Sequence, residues 1–155
     1  MNKEKKIIIA TDHRGFVLKE YLKTKSIFCY ETHTFFVEWV DVGAFTPERS
    51  DYPEFAHRAL NAMHEKETDG AILLCGSGNG MAIAANRYTR IFACVAWSAQ
   101  VAQQAKEDDN CNVLVIPADY VTQKEIMKII SFWLLAEFKG GRYAERLAFI
   151  DDLSQ

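Results

Sequence analysis

The stretch Ala71-Ile72-Leu73-Leu74-Cys75-Gly76-Ser77-Gly78-Asn79-Gly80-Met81-Ala82-Ile83-Ala84-Ala85-Asn86 decides the fold and the place of the candidate site. It begins as a short apolar run, which predicts a buried β-strand. It then turns through three glycines at alternate positions and continues as an alanine-rich segment, which predicts a helix. In a parallel α/β sheet, ligands bind where the strands end, and Cys75 stands at such an end. The stretch therefore predicts a reactive thiol beside the free amides of a helix N-terminus, which favour an anion.

The rest of the chain repeats this alternation of apolar strands with amphipathic helices. Each predicted strand is followed by a segment whose apolar residues recur at helical spacing. The predicted strands are residues 6–10, 35–42, 71–75, 92–96 and 112–116. We expect one α/β domain, residues 1–155, with three layers and a five-stranded parallel sheet. The segment from Ser26 to Thr34 follows neither pattern.

Length, composition and charge are those of an ordinary single-domain protein. The chain has 155 residues, of which 49% are hydrophobic and 25% charged, and its formal net charge is -3. This charge gives no reason to expect binding to nucleic acid or to an anionic membrane. No apolar run approaches the ~20 residues that span a bilayer, and none near the N-terminus resembles a signal peptide, so we expect a cytoplasmic protein. The four cysteines lack CxxC spacing, which favours free thiols.

Spacing excludes several other chemistries for the glycine-rich turn. A P-loop needs Lys and then Ser or Thr after its last glycine, where this chain has Met81-Ala82. A dinucleotide-binding turn needs an acid at the end of the next strand, which instead ends at Ala96-Trp97. A cysteine phosphatase needs an arginine between Cys75 and Asn86, and the sequence has none there. A thiol protease needs a histidine partner, and no histidine follows His64.

Aldose–ketose isomerisation of a phosphorylated sugar fits the turn better. This reaction moves a proton between C1 and C2 through an enediolate, so it needs a base, donors for the developing oxyanion and an anchor for the phosphate. Cys75 can be the base if the nearby amides favour its thiolate. The amides of Gly76 to Gly80 and the hydroxyl of Ser77 can hold the oxyanion, and no metal or cofactor is required. The alternative without catalysis is a structural cysteine that ends a buried strand.

Several separate motifs carry a family resemblance. They are Thr11-Asp12-His13-Arg14-Gly15, Asp51-Tyr52-Pro53, Cys75 to Met81, Ala84-Ala85-Asn86 and Gly140-Gly141-Arg142. In this order they resemble the type B ribose-5-phosphate isomerase family, which also contains the galactose-6-phosphate isomerase subunits. The resemblance covers nearly the whole chain. It implies a Rossmann-like fold and the interconversion of ribose 5-phosphate and ribulose 5-phosphate without a cofactor, a step of the pentose phosphate pathway.

The resemblance also implies a homodimer with active sites between its subunits and roles for individual residues. A C-terminal helix at about 142–153 would pack at the subunit interface. Cys75 would take the C2 proton, Asp12 would handle the sugar hydroxyls or the ring oxygen, and Ser77 would help hold the enediolate. The implied binding residues are His13, Arg142 and Arg146 for the phosphate, Tyr52 for the sugar, Asn86 for support of the turn, and Gly76, Gly78, Asn79, Gly80, Asp108 and Asn110.

The chain departs from the family pattern on the ligand-facing side. Asp108 stands where members usually carry a histidine that is thought to open the furanose ring. Pro117 and Asp119 replace a usual glycine and arginine, and an aspartate there would repel a phosphate. Tyr143 replaces another histidine. Two alternatives therefore stay open, namely a catalytically weak member that binds a sugar phosphate for regulation, and an isomerase of a hexose or allose type of phosphate. A flavodoxin-like nucleotide-binding module is disfavoured by the missing acid after the fourth strand.

Overall fold

The structure, a computed structural model, describes residues 2–153, so Met1, Ser154 and Gln155 of the predicted domain lie outside it. The strands are β1 Asn2–Thr11, β2 Ile27–Tyr30, β3 His33–Asp41, β4 Gly70–Cys75, β5 Ala93–Val95 and β6 Val113–Pro117. The helices are α1 Phe16–Lys23, α2 Tyr52–Glu65, α3 Asn79–Ala85, α4 Ala99–Asp109, α5 Gln123–Leu135 and α6 Arg142–Leu153, and a 3-10 turn at His13–Gly15 precedes α1. Within these residues, no helix combines the length and the apolar composition that crossing a membrane requires.

The predicted three-layer α/β fold is confirmed, but the predicted number of strands is wrong. The sheet has six strands in the order β2-β3-β1-β4-β6-β5. The five predicted strands run parallel to one another. The unassigned segment from Ser26 to Thr34 contributes β2, which pairs antiparallel with β3. Only Phe28 is fully buried in this four-residue strand, so its sequence shows too little alternation to be recognised.

The sheet separates two hydrophobic cores, because successive side chains of a strand point to opposite faces. In β1, Ile7 and Ile9 pack with α1, α4 and α5, whereas Ile8 and Ala10 pack with α2 and α3. Every residue of β4 and β6 is buried. These two strands are covered on both faces, which is why they read as continuous apolar runs rather than alternating ones.

The strand order brings three loops together at the carboxyl edge of the sheet. β4 lies between β1 and β6, so the segments that follow these three strands are neighbours. The turn after β1 packs directly on β4, because a Cβ at Gly15 would lie 2.3 Å from Oγ1 of Thr11 and 2.6 Å from Cβ of Leu74. The Thr11 hydroxyl lies 3.0 Å from the Leu74 carbonyl oxygen, to which it can donate. This close approach places the loop after β1 next to Cys75.

Helix α6 crosses the opposite, amino edge of the sheet. It starts beside the end of α4, where the backbone amide of Lys139 donates to the Glu107 carbonyl at 2.9 Å. Near its end, Ile150 lines a cavity with the loop of residues 86–92 between α3 and β5. None of the twelve residues of α6 is buried, although the helix carries several apolar side chains. Its apolar residues therefore lack the cover that those of the other long helices have.

Candidate active site

The geometry of the glycine-rich turn directs backbone amides at the sulfur of Cys75. Cys75 ends β4 and is only 5% exposed. The chain turns at Gly78 with φ of +82°, a left-handed conformation that favours glycine. Because of this turn, the amides of Gly78 and Met81 hydrogen-bond the sulfur. The turn thus provides donors that stabilise negative charge beside the thiol.

Burial nevertheless dominates the titration of this thiol in the single chain. Desolvation raises the pKa of Cys75 above its ordinary value of 9.0, while the amides of Met81 and Gly78 lower the pKa by less. The charge of Asp12 raises the pKa further, and the charge of Arg14 lowers it. The amide donors expected from the sequence are therefore present. In the single chain they do not favour the thiolate by themselves, because the desolvation of the sulfur raises its pKa by more than the amides lower it.

Asp12 and His13 are held rigidly in the loop after β1. Asp12 is 5% exposed, and its carboxylate accepts a hydrogen bond from the backbone amide of Arg14 at 2.9 Å. The backbone amide of His13 donates to the hydroxyl oxygen of Ser50 at 3.1 Å. The imidazole Nδ1 of His13 lies 3.3 Å from the Ser50 amide nitrogen, which ties the ring to the loop before α2. Both predicted side chains are therefore fixed before any ligand binds.

Tyr52 and Ser77 line the same edge of the sheet. The ring of Tyr52 lies against Gly80, where a Cβ would come within 2.7 Å of Cζ of the tyrosine. Ser77 and Asn79 are exposed, and the Asn79 amide donates to the Ser77 hydroxyl oxygen at 3.3 Å. The predicted site residues that the structure brings together at the carboxyl edge are Asp12, His13, Tyr52, Cys75, Gly76, Ser77, Gly78, Asn79 and Gly80.

An ion pair between Arg14 and Asp119, which the sequence did not predict, crosses the end of β4. Its partners follow β1 and β6, the two neighbours of β4. The Arg14 guanidinium lies on Gly76, where a Cβ would be 2.5 Å from Cζ of the arginine. The Asp119 amide also donates to the Gly76 carbonyl at 3.1 Å. The charge of Asp119, expected to repel phosphate, is thus paired with a cation. Only knowledge of the strand order could have connected the two residues.

Asp108 and Asn110 lie away from the thiol, at the amino edge. Helix α4 starts at the carboxyl edge, and its eleven residues carry the chain back by about 16 Å, so its end cannot reach Cys75 of the same chain. The carboxylate of Asp108 lies 2.7 Å from Nζ of Lys139. Asn110 follows in a left-handed conformation with φ of +49° and ends the helix.

Arg142 and Arg146 lie at the same amino edge, around the ring of Tyr143. The two guanidinium carbons are 5.2 Å and 5.6 Å from the ring centre, and Nζ of Lys139 is 5.5 Å from it. Their spacing of four residues places both arginines on one side of α6, as predicted. Tyr143 therefore gathers three cations where the family usually has a histidine. This cluster places positive charge at the two predicted phosphate-binding arginines, although Lys139 is also paired with Glu107 and Asp108.

Asn86 anchors a strand rather than the turn. It ends α3, and its side-chain amide donates to the Ala93 carbonyl and accepts from the Ala93 amide, both at 2.8 Å. These bonds fix the start of β5 at the amino edge. In the part of the chain that the structure describes, no group of three or more His, Cys, Asp and Glu side chains is arranged to hold a metal ion.

The fold and the site together define a class of protein, an α/β enzyme with a buried thiol beside an anion-favouring turn. Residues 7–150 match the Ribose/Galactose Isomerase family, and the chain belongs to this family. It is 35% identical to ribose-5-phosphate isomerase B of Escherichia coli over 151 aligned residues, and these residues cover 97% of each chain.

Solved structures agree with this assignment. A ribose 5-phosphate isomerase from Thermotoga maritima superposes with a TM-score of 0.86 at 36% identity, over 96% of this chain and 98% of that one. Ribose-5-phosphate isomerase B from Mycoplasma genitalium, solved with bound ribulose 5-phosphate, superposes with a TM-score of 0.80 at 35% identity. That match covers 96% of this chain and 95% of the other. The likeness extends over the whole domain and includes both edges of the sheet.

Proposed function

We propose that this protein is a cofactor-independent aldose–ketose isomerase that interconverts ribose 5-phosphate and ribulose 5-phosphate. The observation that carries the proposal is the end of β4, where the Cys75 sulfur accepts hydrogen bonds from the turn amides beside the buried carboxylate of Asp12. The bound ribulose 5-phosphate of the Mycoplasma genitalium relative supports this choice of sugar. The proposal includes a place in the pentose phosphate pathway and a cytoplasmic location.

In the proposed reaction, the thiolate of Cys75 removes the proton from C2 of the open-chain aldose and returns it to C1. The intermediate is an enediolate, whose negative oxygen the amides of Gly76 to Gly80 and the hydroxyl of Ser77 stabilise. Asp12 accepts hydrogen bonds from the sugar hydroxyls, and Tyr52 borders the sugar. In the enediolate a second proton passes from the C2 oxygen to the C1 oxygen. All protons are therefore accounted for, and the reaction needs no oxidant and no electron carrier.

We further propose that the phosphate is bound by a second copy of the chain. Within one subunit, Arg142 and Arg146 lie at the amino edge and the thiol lies at the carboxyl edge. The exposed fractions of Phe149 and Leu153 on α6 are 62% and 71%, which is high for large apolar side chains. A symmetric dimer that covers α6 can carry the arginines of one subunit to the thiol of the other.

The test is a panel of sugar phosphates given to the wild type and to two cysteine variants. We expect turnover of ribose 5-phosphate, and Cys75→Ala should lower kcat by about 1,000-fold while substrate still binds, because a general base is lost. Cys29→Ala is the matched control, since Cys29 is an exposed thiol on β2, and it should keep full activity. Turnover of a hexose or allose phosphate alone would replace the proposed sugar, and turnover by Cys75→Ala would refute the proposed base.

Binding of a sugar phosphate without turnover is the second candidate function, and one observation favours it. Asp108, which stands at the position of the ring-opening histidine, is engaged by Lys139 at 2.7 Å. A paired carboxylate is a poor proton donor for opening a furanose ring. Calorimetry with ribose 5-phosphate distinguishes the two functions, because micromolar binding by a wild type that shows no turnover supports the regulatory alternative.

A further inference from the structure

The ion pair of Arg14 and Asp119 lies over the carboxyl end of a single strand, β4. Its two residues belong to the loops on either side of β4, and the pair closes over Gly76, the residue that follows Cys75. Two backbone bonds hold the β6 side of this bridge: the Ala118 amide donates to the Cys75 carbonyl at 2.9 Å, and the Asp119 amide donates to the Gly76 carbonyl at 3.1 Å. The guanidinium is therefore held over Gly76, the residue next to Cys75 in the chain.

The charged and titratable groups around Cys75 come from three elements, and the charged ones have opposite effects on the pKa of the thiol. From the loop after β1, the carboxylate of Asp12 raises the pKa of the thiol and the guanidinium of Arg14 lowers it. From the loop after β6, Asp119 partly neutralises Arg14. From α2, Tyr52 presents its phenol ring against the turn. Arg14 is the only side chain in this set that carries positive charge, so it adds to the amides of Met81 and Gly78 in offsetting the cost of burying a thiolate.

We propose that Arg14 is a positioning residue for the isomerisation, which favours the thiolate of Cys75, and that Asp119 holds its guanidinium over Gly76. This inference rests on the proposed function in one respect, the choice of Cys75 as the base. It assigns a purpose to Asp119, which replaces a usual phosphate-binding arginine of the family. The cation at this edge of the sheet is Arg14, from the loop after β1, and it stabilises the thiolate of Cys75.

The direct test follows the thiolate of Cys75 in the purified protein without any substrate. The ultraviolet absorbance of the thiolate is recorded against pH, and the signal of the matching Cys75→Ala protein is subtracted. Arg14→Ala should move the midpoint up by about one pH unit, since a nearby cation is lost. Arg14→Lys keeps the charge and should stay closer to the wild type. Asp119→Asn keeps an acceptor for Arg14 but removes the opposing charge, so it should move the midpoint down.

Kinetics then separate this role from a purely structural one. Arg14→Ala should lower kcat about tenfold at neutral pH with little change in KM, and the loss should shrink in alkaline solution, where the thiolate forms without help. Arg58→Ala, which removes an exposed arginine paired with Glu54 on α2, is the control and should change neither quantity.

Two results would overturn the inference. One is an unchanged thiolate midpoint in both Arg14→Ala and Asp119→Asn, which would leave the pair a bridge between loops. The other is a large rise in KM with an unchanged midpoint, which would make Arg14 a phosphate ligand. Because the titration needs no turnover, its outcome stays separate from the test of the proposed reaction, and Arg14→Lys and Asp119→Asn preserve size if Arg14→Ala fails to fold.

Discussion

Cys75 combines two demands that conflict at the scale of a single residue. A base at the end of a buried strand is shielded from water, which protects an enediolate but disfavours the thiolate. Part of the cost of burying the thiolate is offset by the amides of Gly78 and Met81 and by the charge of Arg14. The carboxylate of Asp12 adds to that cost. The thiolate is thus a minor species in the single chain at neutral pH.

The conflict predicts how activity depends on pH. In the proposed reaction the active form of Cys75 is the thiolate, and burial raises the pKa of the thiol above 9.0. The thiolate fraction, and with it kcat/KM for ribose 5-phosphate, should therefore keep rising from neutral pH up to this value. A profile of kcat/KM against pH measures this directly. A flat or falling profile over the same interval would show that another group is the base.

Which site residues the sequence could predict depends on where their partners lie. Cys75 and Asp12 end apolar runs that are recognisable as strands, so their place at one edge of the sheet follows from the chain pattern. The pair of Arg14 and Asp119 joins residues 105 positions apart and depends on β4 lying between β1 and β6. The spacing of apolar residues does not specify strand order, so the contact between Arg14 and Asp119 could not be predicted from the sequence. The role of Asn86 in supporting the turn was expected from the family resemblance alone.

At the scale of elements, a buried ion pair fixes α1 to the end of β3. Lys19 has no exposed side-chain surface, and its Nζ lies 2.6 Å and 2.8 Å from the two carboxylate oxygens of Asp41. Lys23, one turn further along α1, contacts the same carboxylate at 2.6 Å. Both lysines also contact Glu20 of α1, at 3.4 Å and 3.0 Å. The Asp41 carboxylate is the less exposed of the two anions, and it lies where the chain leaves β3 for the loop before α2.

Removal of this anion should cost more stability than any exposed pair provides. Asp41→Asn leaves the buried Lys19 with only the more distant and more exposed carboxylate of Glu20, at 3.4 Å. We therefore expect a loss of about 3 kcal/mol in the free energy of unfolding. Glu54→Gln breaks the exposed pair with Arg58 and should change stability by no more than about 0.5 kcal/mol. Denaturant titrations of both variants give the two values. Equal losses would mean that the Lys19 pair contributes no more than a surface contact.

The same carboxylate predicts the response of the fold to acid. Burial alone would raise the pKa of Asp41, but hydrogen bonds from Lys19 and Lys23 and from the Gly43 amide outweigh it and hold the pKa below 3.8. The stabilisation is therefore present above pH 3.8 and is lost as the pH falls through the lower folded value. The gap in melting temperature between the wild type and Asp41→Asn should accordingly narrow in acid.

The elements that the sequence predicted best are those with local signals. Thr122 begins α5 with a capping box, in which the Thr122 amide donates to the Glu125 carboxylate at 2.7 Å. Strand β2 has no comparable signal, because its stability comes from distant contacts. Tyr30 at its end lies 4.2 Å, ring centre to ring centre, from Phe132 on α5. A segment stabilised across such a distance in sequence is invisible to a window of neighbouring residues.

At the scale of the whole molecule, the predicted site is divided between two edges of one sheet. The carboxyl edge carries the thiol and the amide donors, and the amino edge carries Arg142 and Arg146 beside the uncovered α6. A parallel sheet separates these edges by the length of its strands, so no loop movement within one subunit unites them. In the proposed reaction the two halves are complementary in charge, since the anionic intermediate would form at one edge and the two arginines lie at the other.

A shared site predicts that two inactive proteins restore each other. Cys75→Ala removes the proposed base, and the double variant Arg142→Ala with Arg146→Ala removes the proposed phosphate ligands, so each homodimer should be inactive. In a mixed dimer, one of the two sites combines an intact thiol from one subunit with intact arginines from the other. After subunit exchange at equal amounts, half of the dimers are mixed, and activity should recover to about a quarter of the wild-type value. Exchange proven by a mass tag without any recovery of activity would show that each subunit builds its site alone.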